Sequence, residues 1–317
     1  MSAPDGIIQR AAAPFAGVVN RVRLGFPRRF FQGNGSPAGD LAASVVFREL
    51  KKRGARGVAF ATPHQALFER NHDVDEIIPC RNPDSDRWLH LGLPIVNVGE
   101  TKYDPLRDAD EPPAQHALIQ MCRLAGIGGP VELRPYFFLT REEFAAGKIG
   151  ENQVVIQSSS LADAEPMRNR QWYPYRFQEL CSELRADVQV IQLGSAEDPK
   201  LEGATDLRGK TTVRQSAAIL ANSFVFIGLV GFLMHLARAV DCRSVIIYGG
   251  RERPTQTGYV ANKNLYTQVK CAPCWLRNPC DYDRKCMDLI SVSQIISAAA
   301  EQISRYGTLL EVQTAQL

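Results

Sequence analysis

Apolar and polar positions fall into short runs that switch between a helical and a strand period. From Asp40 the segment DLAASVVFRELKKRG places apolar side chains at 41, 45, 46 and 50, with Arg48, Glu49, Lys51 and Lys52 on the other face. This spacing predicts an amphipathic helix stopped by Gly54. Gly57–Thr62 (GVAFAT) reads as a short strand, Pro63–Asn71 as a helix, Glu76–Pro79 as the next strand and Leu93–Val98 as another. Strands alternating with helices at such spacing predict a parallel sheet. Residues 1–39 show no such period and are expected to form an irregular lead-in ending in a tight turn. The polar loop GETKYDPLRDADEPP precedes a helix over His116–Leu124, and Thr140 followed by Arg-Glu-Glu143 is a helix start with Thr140 as cap.

The second half repeats the alternation. Strands are expected at Gln153–Ser158, Val188–Leu193, Phe224–Ile227 and Ser244–Tyr248, with helices at Tyr175–Leu184, Thr212–Ala221 and His235–Ala239. The first domain closes between Leu139 and Gln153, giving an N-terminal domain over 1–150 and a C-terminal one over 151–317. Together they predict an α/β protein of two doubly wound, Rossmann-like domains facing a cleft. Ligands of such sheets bind at the carboxyl ends of strands. Three exits carry suitable groups: Ser158–Ser160 with Asn169, Arg170 and Trp172; Arg208 and Lys210; and Gly249-Gly250. Neither the GxGxxG fingerprint nor the GxxxxGK[ST] phosphate loop is present.

Composition narrows the class. Of 317 residues, 45% are hydrophobic and 22% charged, and the net charge of +3 is too small to argue for nucleic acid. The longest apolar run, Phe224–Leu236, is too short to span a bilayer. Arginines mixed with aromatics over Arg21–Phe31 leave peripheral membrane contact open beside a solvated face. The chain opens without a signal-peptide pattern, so a cytoplasmic location is expected.

Four of the eight cysteines stand together in CAPCWLRNPCDYDRKC, at Cys271, Cys274, Cys280 and Cys286. The spacing suits a tetrahedral metal site with no open position, hence a structural one, stapling the loop 271–286. Disulfides and merely packed thiols are the alternatives, and thiolate softness does not separate zinc from iron.

Other residues admit two readings each. Asp40, just after Gly39, suits either a helix cap or a general base. Lys210 and Arg208 beside a helix start suit a diphosphate or a solvated loop. His235 is either a buried hydrogen-bonding histidine or a phosphate ligand.

Leu201–His235 with DLRGKT and GLVGFLMHLARAV, followed by SVIIYGG and Pro254, resembles glycosyltransferase family 9, the ADP-heptose transferases. Gly39-Asp40 resembles that family's N-terminal Gly-Asp motif, and Asn169-Arg170-Gln-Trp172 its Asn-Lys-x-Trp element. The resemblance implies a GT-B fold, an acceptor-binding N-terminal domain and a C-terminal domain binding a nucleotide sugar such as ADP-heptose. It also implies inverting transfer to a hydroxyl of a protein or a lipid-linked glycan. On the matched positions Asp40 corresponds to the general base, Arg170 to a lysine that neutralises the donor diphosphate, and His235 with the backbone at Gly231 to phosphate neighbours. Ser158 and Lys210 join the donor set from their strand exits. Val230-Gly231-Phe232 departs from the family, which carries an acid in this turn, so a catalytically degenerate binding or assembly protein is the alternative. The cysteines resemble those of iron-containing autotransporter heptosyltransferases, which makes iron the first expectation and zinc the second. The sequence leaves a homo-oligomer open. A redox centre has no partner cofactor in the sequence.

Overall fold

The computed structural model describes residues 29–33, 35–80, 95–97, 102–161 and 167–314. Two compact units emerge, one from the chain up to Glu100 with Leu118–Glu132, the other from Thr101–Ala117 with everything from Leu133 onward. The chain therefore enters the second unit early, leaves it and returns, where the sequence suggests one boundary near 150.

The first unit is built on four parallel strands, β1 (Arg29–Gln32), β2 (Val58–Thr62), β3 (Glu76–Pro79) and β4 (Ile95–Asn97), in the order β3-β2-β1-β4. β1 corrects the expected irregular lead-in. It lies inside the sheet with Phe30 and Phe31 both buried, and a strand covered on both faces shows no polar alternation to read. The rest of the Arg21–Phe31 patch lies outside the described residues.

Helix α1 (Pro37–Lys52) starts three residues before the expected Asp40. Ser36 caps it by accepting from the Gly39 N–H at 3.1 Å, so Asp40 is free of the capping role. Phe47 on its inner face meets the rings of Phe60, Phe31 and Phe68 at 4.8, 5.7 and 6.0 Å. The helix expected over Pro63–Asn71 shrinks to a 3-10 turn at Gln65–Leu67. Local hydrogen bonds compete with helix there: the His64 N–H donates to Thr62 Oγ1, the Asp73 N–H to Asn71 Oδ1, and Arg70 adopts a positive φ of 62°. Helix α2 (Ala117–Leu124) supplies Leu118, Met121 and Cys122 to buried positions.

In the second unit the polar loop after Glu100 holds a small antiparallel hairpin, β5 (Tyr103–Asp104) and β6 (Ala109–Asp110). Next come α3 (Arg141–Ala146), with the expected Thr140–Glu143 capping box, and β7 (Gln153–Ile156). The series continues through α4 (Pro174–Leu184), β8 (Gln189–Gln192), β9 (Thr205–Asp206) and α5 (Val213–Ala221). It ends with β10 (Val225–Leu229), α6 (Phe232–Ala239), β11 (Ser244–Gly249), α7 (Pro254–Thr257), β12 (Lys263–Tyr266), α8 (Lys285–Asp288) and α9 (Val292–Thr314). The six strands are parallel in the order β12-β11-β10-β7-β8-β9.

Period-two alternation decides which face each strand residue covers. Val154, Ile156, Val225, Ile227, Val245 and Ile247 pack with Trp172 and Phe177 around α4 and with Ile295 and Ala298 of α9. Trp172 anchors this layer, with its Nε1–H donating to the Ile290 carbonyl at 3.1 Å and its ring edge-on to Phe177 at 5.0 Å. Among the described residues no helix is long and apolar enough to cross a membrane.

Candidate active site

In the first unit Asp40 is fully buried one turn into α1 and faces the exit of β2. Thr62 Oγ1 donates to Asp40 Oδ2 at 2.5 Å, and His64 Nδ1 lies 2.9 Å from the same oxygen. With a carboxylate opposite, Nδ1 carries the proton and donates, which leaves Nε2 on the far edge of the ring as an acceptor. Among the described residues Asp40 Oδ1 has no hydrogen-bond partner, and it fills space beside Gly33, where a Cβ would lie 1.8 Å from it. Gly33 is thus glycine because the carboxylate occupies the volume of its missing side chain. Sequence reading found Asp40 and missed Thr62, His64 and Gly33. The nearest signal was a Thr-Pro-His triplet at the end of a buried strand.

In the second unit the strand order reverses beside β7, since β8 lies on one side and β10 on the other, so the loops after these strands diverge. A cavity of about 220 Å³ opens there, lined among others by Ser159, Ser160, Ser195, Asp198, Thr211 and Phe232. Ser158 does not line it: its Oγ donates to the Pro199 carbonyl at 2.7 Å and accepts from Gln192 Nε2 at 2.9 Å, which ties two loops together. Gly231 is the residue before α6, and Phe232 and Leu233 of the first turn form part of the wall. Lys210 is exposed and donates to the Asp206 carbonyl at 2.8 Å, while Arg208 forks onto both Asp206 oxygens at 2.8 and 3.0 Å. That fork holds the Asp206 carboxyl far below the usual carboxylate range.

Arg170 and His235 belong to a second group around Glu252. Arg170 Nε donates to Glu252 Oε1 at 2.7 Å and Arg251 Nη1 to the same oxygen at 2.8 Å. Arg251 continues to Asp110, which also accepts from Arg277 at 2.9 and 2.6 Å. Burial opposes the charge on Glu252, yet the two guanidiniums win and pull its pKa down to about 2. His235 moves the other way for a histidine: burial first, then the nearby Arg170 and His116, lower its pKa to about 4, so the ring is neutral at pH 7. Its Nδ1 is 2.5 Å from Tyr259 Oη, and burial raises the Tyr259 pKa well above the phenol value, so that oxygen keeps its proton. His116 donates from Nε2 to the Gly258 carbonyl at 2.8 Å, with burial lowering its pKa as well. The sequence singled out Arg170 and His235 but not Glu252, Arg251, Asp110 or Tyr259. Asp110 lies more than a hundred residues from its partners, and its hairpin joins this unit through them.

The expected four-cysteine metal cage is not seen as a closed site. Among the described residues no group of three or more His, Cys, Asp or Glu side chains is placed to hold a metal ion. Cys271, Cys274, Cys280 and Cys286 are all free and line one cavity of about 180 Å³ with Gly250, Arg251 and Arg284. The Arg284 N–H donates to Cys280 Sγ at 3.2 Å. Burial, with the other thiols close by, pushes the Cys274 and Cys286 thiols up. The donor set fits a soft metal in its chemistry, and the closed geometry is not formed.

A family model described as glycosyltransferase family 9 (heptosyltransferase) matches residues 140–283, less than half of the chain. No curated protein matches the chain. Among solved structures, the ADP-heptose lipopolysaccharide heptosyltransferase II of E. coli is 14% identical with a TM-score of 0.67, covering 89% of this chain and 100% of its own. A glycosyl transferase family 9 protein from Veillonella parvula is 14% identical with a TM-score of 0.68, covering 88% and 98%. The iron-containing dodecameric glycosyltransferase TibC from enterotoxigenic E. coli is 17% identical with a TM-score of 0.65, covering 88% and 77%. These likenesses are of fold: the chain has an α/β, GT-B-like architecture.

Proposed function

We propose that the protein is an inverting glycosyltransferase that moves a sugar, heptose, from ADP-heptose to a hydroxyl of a protein or a lipid-linked glycan. The observation that carries this reading is the cavity at the strand-order reversal beside β7. Among the described residues, those that line it all fall within the stretch matched by the heptosyltransferase model. A nucleotide would lie across the carboxyl ends of β7 and β8, where open α/β sheets take such ligands.

The donor set is Arg170 and His235, with Gly231, Lys210 and the Ser158 loop as its surroundings. Arg170 is pre-aimed by Glu252, and a charged guanidinium neutralises a leaving diphosphate electrostatically. His235, kept neutral, offers a hydrogen bond without adding charge next to Arg170. The base at the acceptor centres on the Asp40 carboxylate. Leaving-group charge is met by the protein's own cations, so no metal enters the transfer.

The four cysteines are the set that would hold a structural iron or zinc and so fix the loop that carries Arg277 and Arg284. Buried Val230 and the Phe232 wall favour a second reading, a transferase-like binding protein. ADP release from ADP-heptose with a serine-containing peptide or a heptose-deficient lipooligosaccharide tests the proposal. Turnover lost in Arg170→Ala is expected; calorimetry showing no binding of ADP or ADP-heptose selects the second reading.

A further inference from the structure

The general base of a transfer reaction must reach the acceptor hydroxyl at hydrogen-bond distance. Asp40 has none of its surface exposed. One carboxylate oxygen is taken by Thr62 and His64, and the other is closed in by Gly33 at the end of β1. An incoming hydroxyl therefore meets protein before it meets this carboxylate. The His64 side chain is different: 27% of it is exposed while its Nδ1 edge stays on the buried carboxylate. A carboxylate holding Nδ1–H fixes the ring orientation and the tautomer, and it stabilises the imidazolium that forms when the opposite nitrogen takes a proton.

The local sequence builds this arrangement. β2 ends at Thr62, Pro63 turns the chain, and the His64 N–H donates back to Thr62 Oγ1 at 2.8 Å. Thr62 Oγ1 in turn gives its proton to Asp40. The same two-residue hook that stops the expected helix at Pro63 thus aims the imidazole.

We propose that His64 is the catalytic base of the acceptor step, its Nε2 receiving the hydroxyl proton, and that Asp40 is the carboxylate that positions it. The inference rests on the transferase reading and moves the contact with the acceptor from Asp40 to His64. In the step, the acceptor oxygen forms its bond to the anomeric carbon as its proton passes to His64 Nε2. The bond from that carbon to the diphosphate oxygen breaks, and its electron pair leaves with ADP. The imidazolium is held by Asp40 and then returns its proton to water.

The experiment uses the full chain, ADP-heptose and the better of the two acceptors named above. His64→Asn keeps an amide donor toward Asp40 but has no basic nitrogen. The expected result is a fall in kcat of about 100-fold or more with KM for ADP-heptose unchanged. In His64→Gly, added imidazole is expected to restore turnover in proportion to its free-base form. A His64→Asn protein within about threefold of wild type, or a His64→Gly protein that imidazole leaves unchanged, overturns the assignment. If the wild-type chain itself releases no ADP, the transferase reading fails, and the dyad is still decided by nitrogen-15 correlation of the His64 ring. Protonation at Nδ1 alone in wild type, lost in Asp40→Ala, supports it, and a proton resident on Nε2 overturns it.

Discussion

Replacing Gly33 by alanine is a direct test of the packing that holds Asp40. The new Cβ would lie 1.8 Å from Asp40 Oδ1, 2.9 Å from its Cγ and 3.1 Å from Phe60 Cζ. No rotation of the methyl relieves such an overlap, so either β1 shifts or the carboxylate leaves. Leaving breaks the hydrogen bonds from Thr62 and His64, each worth about 1.5–3 kcal/mol when one partner is charged. Shifting β1 strains a core strand at about 1–3 kcal/mol. The cheaper of the two sets a loss of about 1–3 kcal/mol, seen as a lower urea midpoint with unchanged slope. In the Gly33→Ala, Asp40→Ala double variant the clash is gone, so the two changes should couple by about 1–3 kcal/mol, with the pair less destabilised than the sum. A Gly33→Ala midpoint equal to wild type, or strictly additive losses, refutes the close approach and with it the sealed position of Asp40.

Glu252→Gln leaves Arg170 and Arg251 facing a neutral group in a buried site, and a loss of about 3–5 kcal/mol is expected from denaturant unfolding. Acid unfolding has two separable windows. Glu252 ionises at about 2 in the fold against an ordinary 4.5, so its contribution is fully present above about pH 4.5 and is lost as pH falls through 2. His235 protonates at about 4 in the fold against an ordinary 6.5, so the unfolded chain gains a proton first and stability falls between 6.5 and 4. His235→Asn should flatten the upper window and Glu252→Gln the lower, as read from unfolding midpoints against pH. Trp172→Ala removes a buried ring and a hydrogen bond to the Ile290 carbonyl, for a loss of about 3–5 kcal/mol in the same assay. Elemental analysis after anaerobic purification should find iron or zinc that disappears when Cys271 and Cys274 are both replaced by serine. Metal-free wild-type protein removes the proposed staple.

Local pattern carried much of this fold. The alternation from Val58 onward, the Thr140 and Thr212 caps and the buried apolar runs of β7, β8, β10 and β11 are short-range features, set by residues a few positions apart. β1 escaped because a strand covered on both faces looks like any apolar run, and the Pro63–Asn71 helix failed because side-chain bonds to the backbone outcompeted it. In the site, Asp40, Arg170 and His235 were legible as charged or titratable groups at turns. What they face was not. Gly33 beside Asp40, His64 on its oxygen, and Asp110 on Arg251 and Arg277 are meetings of distant or differently oriented segments.

The sequence by itself determined the elements, their α/β alternation and the residue types available for chemistry, because helix and strand periods and caps depend on neighbours along the chain. Only the tertiary structure decided that Asp40 is sealed while His64 is open, that Glu252 stays ionised between two arginines, and that the four cysteines share one cavity without closing on a point. Burial and charge pairing act through space, and space is set by which distant segments pack together.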